Sequence, residues 1–160
     1  MSPDSQPLDG GYEMEVDDLA ADILSTPGIE GITISGGEPF LQSAELAALL
    51  TAVKLQKDPG VILYTGMLYD EIKDNILTKH CDIIIDGEYQ EQLNDGLSLR
   101  GSSNQNAILL TQRYAEKFNL YGSNGRKTEI HFKKDGITMV GIPDKKSLTI
   151  LDEKIFTIKP

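Results

Sequence analysis

Ser35-Gly36-Gly37-Glu38-Pro39-Phe40 is the stretch of this chain whose residue types could do chemistry. Two adjacent glycines let a main chain approach a ligand without interference from Cβ, and the proline fixes the turn that follows. The carbonyls of Gly36 and Gly37 can accept from an ammonium, Glu38 adds a carboxylate, and Pro39 has no N–H to donate. An edge so rich in acceptors suits a cation better than a phosphate. In agreement, neither Gly-x-Gly-x-x-Gly nor the lysine-containing phosphate-loop pattern occurs in the chain. Taken alone, the tetrapeptide Gly36 to Pro39 reads first as a tight strand-to-helix turn.

Its surroundings shift that reading. Thr65-Gly66 ends the next expected strand and Asp86-Gly87 the one after, so successive strands finish in a polar residue or a glycine at one rim of a sheet. Repetition at one rim favours a site, although each such residue is also an ordinary strand terminator. Cys81, at the entry to the third of these strands, reads as a small buried thiol. His80 and His131 have no cysteine or carboxylate partner at ligand spacing and read as structural or surface residues. Arg100, inside a Gly-Ser-Ser-Asn loop, fits an anion or partner contact as well as it fits a solvated charge.

The elements that must position these residues follow from periodicity. Val16, Leu19, Ala20, Ile23 and Leu24 recur at helical spacing until Pro27-Gly28. Residues 31–35 form a short, β-branched, glycine-bounded run, as a buried parallel strand would. Ser43 is placed to cap a helix through Leu46, Leu49, Leu50, Val53 and Leu55, which Asp58-Pro59-Gly60 stops. A strand at 61–65, a short amphipathic helix through Leu68, Ile72, Ile76 and Leu77, and a strand at 82–86 complete three alternations, which argue for a parallel sheet. After a polar stretch and the loop Leu99 to Gln105 comes the apolar run Ala107 to Leu110. Further on, Thr128 to Phe132 and Ile137 to Ile142 flank an Asp-Gly hairpin signal, and Ser147 to Ile150 with Ile155 to Ile158 suggest a second pair. The expected architecture is one α/β domain over residues 1–160, its C-terminal third richer in antiparallel strands.

The 25 acidic and 15 basic residues give a net charge of −10, with no basic stripe for a nucleic-acid backbone. The single cysteine excludes an internal disulfide framework. The longest apolar stretch, Leu46 to Val53, is too short to span a bilayer, and no secretion signal opens the chain, so a cytoplasmic setting is expected. The first dozen residues read as an irregular loop, an unusual start for a domain.

Gly31-Ile-Thr-Ile-Ser-Gly-Gly-Glu-Pro-Phe-Leu41 closely resembles the strand-and-loop signature of the radical S-adenosylmethionine activating enzymes. Tyr64-Thr65-Gly66, Asp82-Ile-Ile-Ile-Asp-Gly87 and Leu99-Arg-Gly-Ser-Ser-Asn-Gln105 extend the resemblance toward the branch that activates anaerobic ribonucleotide reductases, over most of residues 12–143. It implies a partial (β/α) barrel of parallel strands. It also implies reductive cleavage of S-adenosylmethionine, giving a 5′-deoxyadenosyl radical that removes hydrogen from a glycine of a partner glycyl-radical enzyme, with an electron donor such as flavodoxin. On that resemblance the carbonyls of Gly36 and Gly37, with Glu38, would hold the methionine ammonium beside Pro39, while Thr65 and Asp86 would line the ribose side. In the family a Cys-x3-Cys-x2-Cys loop binds a 4Fe-4S cluster, a pattern this chain lacks, and one thiol cannot anchor such a cluster. Residues 1–11 resemble the segment just after that loop. The expectation is therefore a chain lacking the first strand and cluster loop, inactive in radical chemistry, with Met1 an internal methionine and an uncovered edge at residues 31–35 that a homodimer could cover.

Two other readings compete. A non-catalytic docking or nucleotide-binding module would keep the fold and never hold a cluster. An unrelated α/β enzyme would use carboxylate chemistry at Glu38 and Asp86.

Overall fold

The computed structural model describes residues 12–125, 129–133 and 136–140. In chain order the elements are α1 (Val16–Ser25), β1 (Gly31–Ile34), α2 (Ser43–Lys54), β2 (Gly60–Tyr64), the single turn α3 (Tyr69–Ile72), β3 (Ile83–Asp86), β4 (Asn106–Leu109), α4 (Ala115–Ser123), β5 (Glu129–Lys133) and β6 (Gly136–Val140). The main sheet runs β1-β2-β3-β4. Its first three strands are parallel and β4 is antiparallel to β3, with Ile34 opposite Leu63, Leu63 opposite Ile84 and Ile84 opposite Ile108. β5 and β6 form a separate antiparallel ribbon in the register expected of a hairpin, with Lys133 opposite Gly136.

The mixed α/β class and the change from parallel to antiparallel strands agree with the sequence reading. The sheet itself is open. Among the described residues β1 pairs only with β2, and no strand closes the four into a barrel. The expected strands after residue 142 and the irregular opening at 1–11 lie outside the described residues.

The core sits between the helices and one sheet face. β2 and β3 are covered on both faces, which is why they read as continuous apolar runs, whereas β1, at the sheet edge, alternates exposed Gly31 and Thr33 with half-buried Ile32 and Ile34 instead of being buried as expected. Val61, Leu63 and Ile84 pack there with Leu50, Ile72, Leu77 and Cys81, while Ala20, Leu49 and Val53 join α1 to α2. The opposite face carries a cavity of about 260 Å³ whose walls include Thr33, Ile62, Ile83, Tyr114 and Phe118. Tyr114 lies across two bare positions. A Cβ on Gly60 would come within 1.8 Å of the Tyr114 hydroxyl, and one on Gly31 within 2.8 Å of the Gly60 carbonyl. Gly60→Ala is therefore expected to cost about 2 kcal/mol by forcing Tyr114 out of place. Chemical denaturation checks it, with the double variant Gly60→Ala/Tyr114→Ala losing less than the sum of its parts.

Two helix boundaries differ from the sequence reading. Ser43 is the first residue of α2 rather than its cap, because a 3₁₀ turn at Pro39–Gln42 precedes it and takes its N-terminal hydrogen bond from the Glu38 side chain. Proline at the first position of that turn and a carboxylate just before it form a start signal of their own. The helix expected from Leu68 to Leu77 stops after one turn. Asn75 accepts from the Leu77 N–H at 2.9 Å, offering the backbone a local alternative to the helix, and a 3₁₀ turn at Leu77–His80 follows.

Candidate functional site

Each parallel strand ends on a loop at the same rim, and three rim glycines hold left-handed backbone: Gly36 at φ +88°, Gly37 at +50° and Gly87 at +90°. Among the described residues a Cβ on Gly36 would meet no atom within 4 Å, so glycine is required there by conformation and the space beyond it is open. Among the described residues no donor is bound to the Gly36 or Gly37 carbonyl.

The carboxylates behave differently from the glycines. Glu38 Oε1 accepts from the Thr65 hydroxyl at 2.7 Å and from the Phe40 N–H at 3.1 Å, and Oε2 accepts from the Gly66 N–H at 2.9 Å. Thr65, 3% exposed, also accepts from the Met67 N–H at 3.1 Å. Asp86, likewise 3% exposed, accepts from the Tyr69 N–H at 2.8 Å through Oδ2 and from the Asn106 N–H and side-chain amide at 3.1 and 2.9 Å through Oδ1. With three donors each, these groups tie the rim together. Free carboxylate chemistry at Glu38 and Asp86 has little support in this geometry.

The sequence-predicted residues thus lie at one end of the sheet, Glu38 and Thr65 in direct contact. Asp86 joins them through the second loop, where the Gly87 N–H donates to the Met67 carbonyl at 3.0 Å. Pro39 is buried at the head of its turn. Sequence reasoning gave no role to Gln105, which is 6% exposed and closes the connection between β3 and β4. Its Oε1 accepts from the Gly101 and Ser102 N–H groups at 2.8 and 3.2 Å, and its Nε2 donates to the Gly87 carbonyl at 2.7 Å. The signal available was a glutamine between a glycine-serine loop and an apolar strand, where a polar side chain must satisfy loop amides. Arg100 forms an ion pair with Asp95 at 2.7 Å and donates to the Gln105 carbonyl at 3.3 Å, so its charge is engaged within the loop.

A family model described as a 4Fe-4S single cluster domain matches residues 4–108, well over half of the chain. The chain belongs to this family. Two curated proteins similar to this chain carry the name anaerobic ribonucleoside-triphosphate reductase-activating protein. The one from Enterobacteria phage T4 is 36% identical over 85 residues, covering 51% of this chain and 54% of the relative. The one from Vibrio cholerae serotype O1 is 36% identical over 103 residues, covering 59% and 66%. The chain therefore spans between about half and two thirds of these relatives. No solved structure matches it.

The donor set of this 4Fe-4S single cluster domain does not fit the cluster its family is named for. The one cysteine, Cys81, is 3% exposed and hydrogen-bonds to the Leu77 carbonyl at 3.4 Å, and among the described residues no group of histidines, cysteines and carboxylates could hold a metal ion. Burial pushes the Cys81 thiol up to about 12, with the nearby Lys54 charge only partly opposing it. A buried neutral thiol is a poor iron ligand. Because the folded state holds the proton more tightly than the unfolded one, stability is constant below the unfolded thiol pKa. It falls as pH rises from about 8.5 toward 12, by about 1.4 kcal/mol per pH unit. Alkylation of Cys81 by iodoacetamide at pH 8 is expected to be at least about a hundredfold slower than in the denatured chain. An equal rate would contradict the burial. Among the described residues no helix is long and apolar enough to cross a membrane.

Proposed function

We propose that this chain is the S-adenosylmethionine-holding part of an activating enzyme that generates a glycyl radical on an anaerobic ribonucleotide reductase. The observation that carries the reading is the rim loop. Gly36 and Gly37 stand in left-handed backbone next to the Glu38 carboxylate, with open space beyond Gly36 and, among the described residues, undonated carbonyls on both. The names of both relatives and the family membership support the same reading. When bound, S-adenosylmethionine supplies the sulfonium whose reductive cleavage starts the radical chemistry. The chain's own part is positioning. The Gly36 and Gly37 carbonyls accept from the methionine ammonium, Glu38 places a negative charge beside it, and Pro39 fixes the turn. Thr65 and Asp86 stand beneath the side where the nucleoside lies. On this reading the protein is cytoplasmic, residues 1–160 form one domain, and the open sheet is an arc of a partial (β/α) barrel. The reductant is a small electron carrier such as flavodoxin, and no radical step is assigned to a chain with one buried cysteine.

That cysteine favours a second reading, a docking or nucleotide-binding module that performs no cleavage. One experiment separates them. The protein encoded by the complete gene is produced without oxygen, reconstituted with iron and sulfide, reduced, and given S-adenosylmethionine. Release of methionine and 5′-deoxyadenosine supports the activating enzyme. Binding without release supports a nucleotide-binding module, and no binding removes the activating enzyme and leaves the docking module.

A further inference from the structure

We propose that Thr65 is a positioning residue that acts through Glu38, and that the two form a clamp setting the register of the Gly36-Gly37 shelf against the neighbouring loop. The inference rests on the functional reading above and replaces a direct ribose contact by Thr65 with an indirect role.

A threonine hydroxyl has one hydrogen to give. In Thr65 it goes to Glu38 at 2.7 Å, and an acceptor position of the same oxygen is taken by the Met67 N–H at 3.1 Å. With the residue 3% exposed, the hydroxyl lies beneath the rim, and its proton is already committed. Glu38 in turn draws on both loops at once. The Phe40 N–H comes from its own loop and the Gly66 N–H from the next, at 3.1 and 2.9 Å. Beyond Met67 the bonding continues through the Gly87 N–H to the Met67 carbonyl and Gln105 to the Gly87 carbonyl. Glycines in left-handed backbone have no side chain to hold them and are free to rotate unless their neighbours are fixed. Glu38 adjoins Gly37 directly, so whatever fixes Glu38 fixes where the shelf carbonyls point.

The test uses the full chain with Thr65→Val, Thr65→Ser, Glu38→Gln and the double variant Thr65→Val/Glu38→Gln. Amide exchange is read at Gly66 and Phe40, and binding of S-adenosylmethionine by equilibrium dialysis. Thr65→Val is expected to raise exchange at Gly66 and Phe40 and to weaken binding about tenfold, the worth of a hydrogen bond to a charged group. Thr65→Ser restores both to within about twofold, and the double variant is no weaker than Glu38→Gln alone. Additive losses would mean that Thr65 meets the ligand itself and would overturn the proposal, as would unchanged exchange in Thr65→Val. Should the wild-type chain bind no S-adenosylmethionine, the functional reading falls. The positioning role falls with it, while the exchange data still decide whether the clamp exists.

Discussion

Gly36→Ala is expected to leave the protein folded while weakening S-adenosylmethionine binding at least about thirtyfold, or about 2 kcal/mol. The two effects separate because of where the new methyl points. At φ +88° an alanine costs about 1–2 kcal/mol of backbone strain, enough to lower the melting temperature without unfolding the domain. Beyond that the methyl meets no atom of the described residues within 4 Å, so a ligand lying on the shelf is what it would strike. Gly101 provides the contrast. A Cβ there would sit 2.7 Å from the Tyr89 ring and 3.0 Å from Gln105 Oε1, so glycine at that position serves packing. Gly101→Ala should lower stability by more than Gly36→Ala. Thermal melts and dialysis on the two variants decide the matter. Binding by Gly36→Ala within twofold of wild type would remove the shelf.

This difference between two glycines was not legible in the sequence, where both stand in polar loops. What the sequence carried was periodicity. The runs at 61–65 and 82–86 are apolar and β-branched because both faces of β2 and β3 are covered, and these two and the run at 31–35 each appear within a residue of their expected place. The rim followed, since the ends of parallel strands share one side. Boundaries set by single side chains were harder. The Asn75 side chain that ends α3 and the Glu38 side chain that caps the 3₁₀ turn both win by local hydrogen bonds that hydrophobic spacing does not register. The division of labour at the rim was hidden for a similar reason. Glu38 and Asp86 looked like chemistry because carboxylates beside glycines often are. Apart from the Phe40 N–H, their donors come from residues 17 to 28 positions away, at Tyr69, Asn106, Thr65 and Gly66, and no local pattern announces such pairs.

Asp86 and Asp82, at opposite ends of β3, turn that hidden pairing into the largest expected loss of stability. Asp82 is 4% exposed. Its Oδ2 accepts from the Val61 N–H at 2.8 Å, and its Oδ1 accepts from the Thr111 hydroxyl and faces Arg113 at 3.4 Å. Asp86 satisfies the Tyr69 N–H and both nitrogens of Asn106. Truncating either to alanine removes a buried acceptor shared by several donors, so each variant should lose about 2–3 kcal/mol, a large part of a small domain's total. The two losses should differ in one respect. Asp82 lies at the far end of the strand from the rim, so Asp82→Ala, assayed where it is still folded, should bind S-adenosylmethionine within twofold of wild type. Asp86→Ala removes the tie between the segment after β2 and the start of β4 and should weaken binding about tenfold as well. Denaturant melts paired with dialysis make the comparison. Equal binding losses in the two variants would mean that stability alone governs the rim, and no binding loss in Asp86→Ala would mean that the shelf does not depend on the loops bonded beside it.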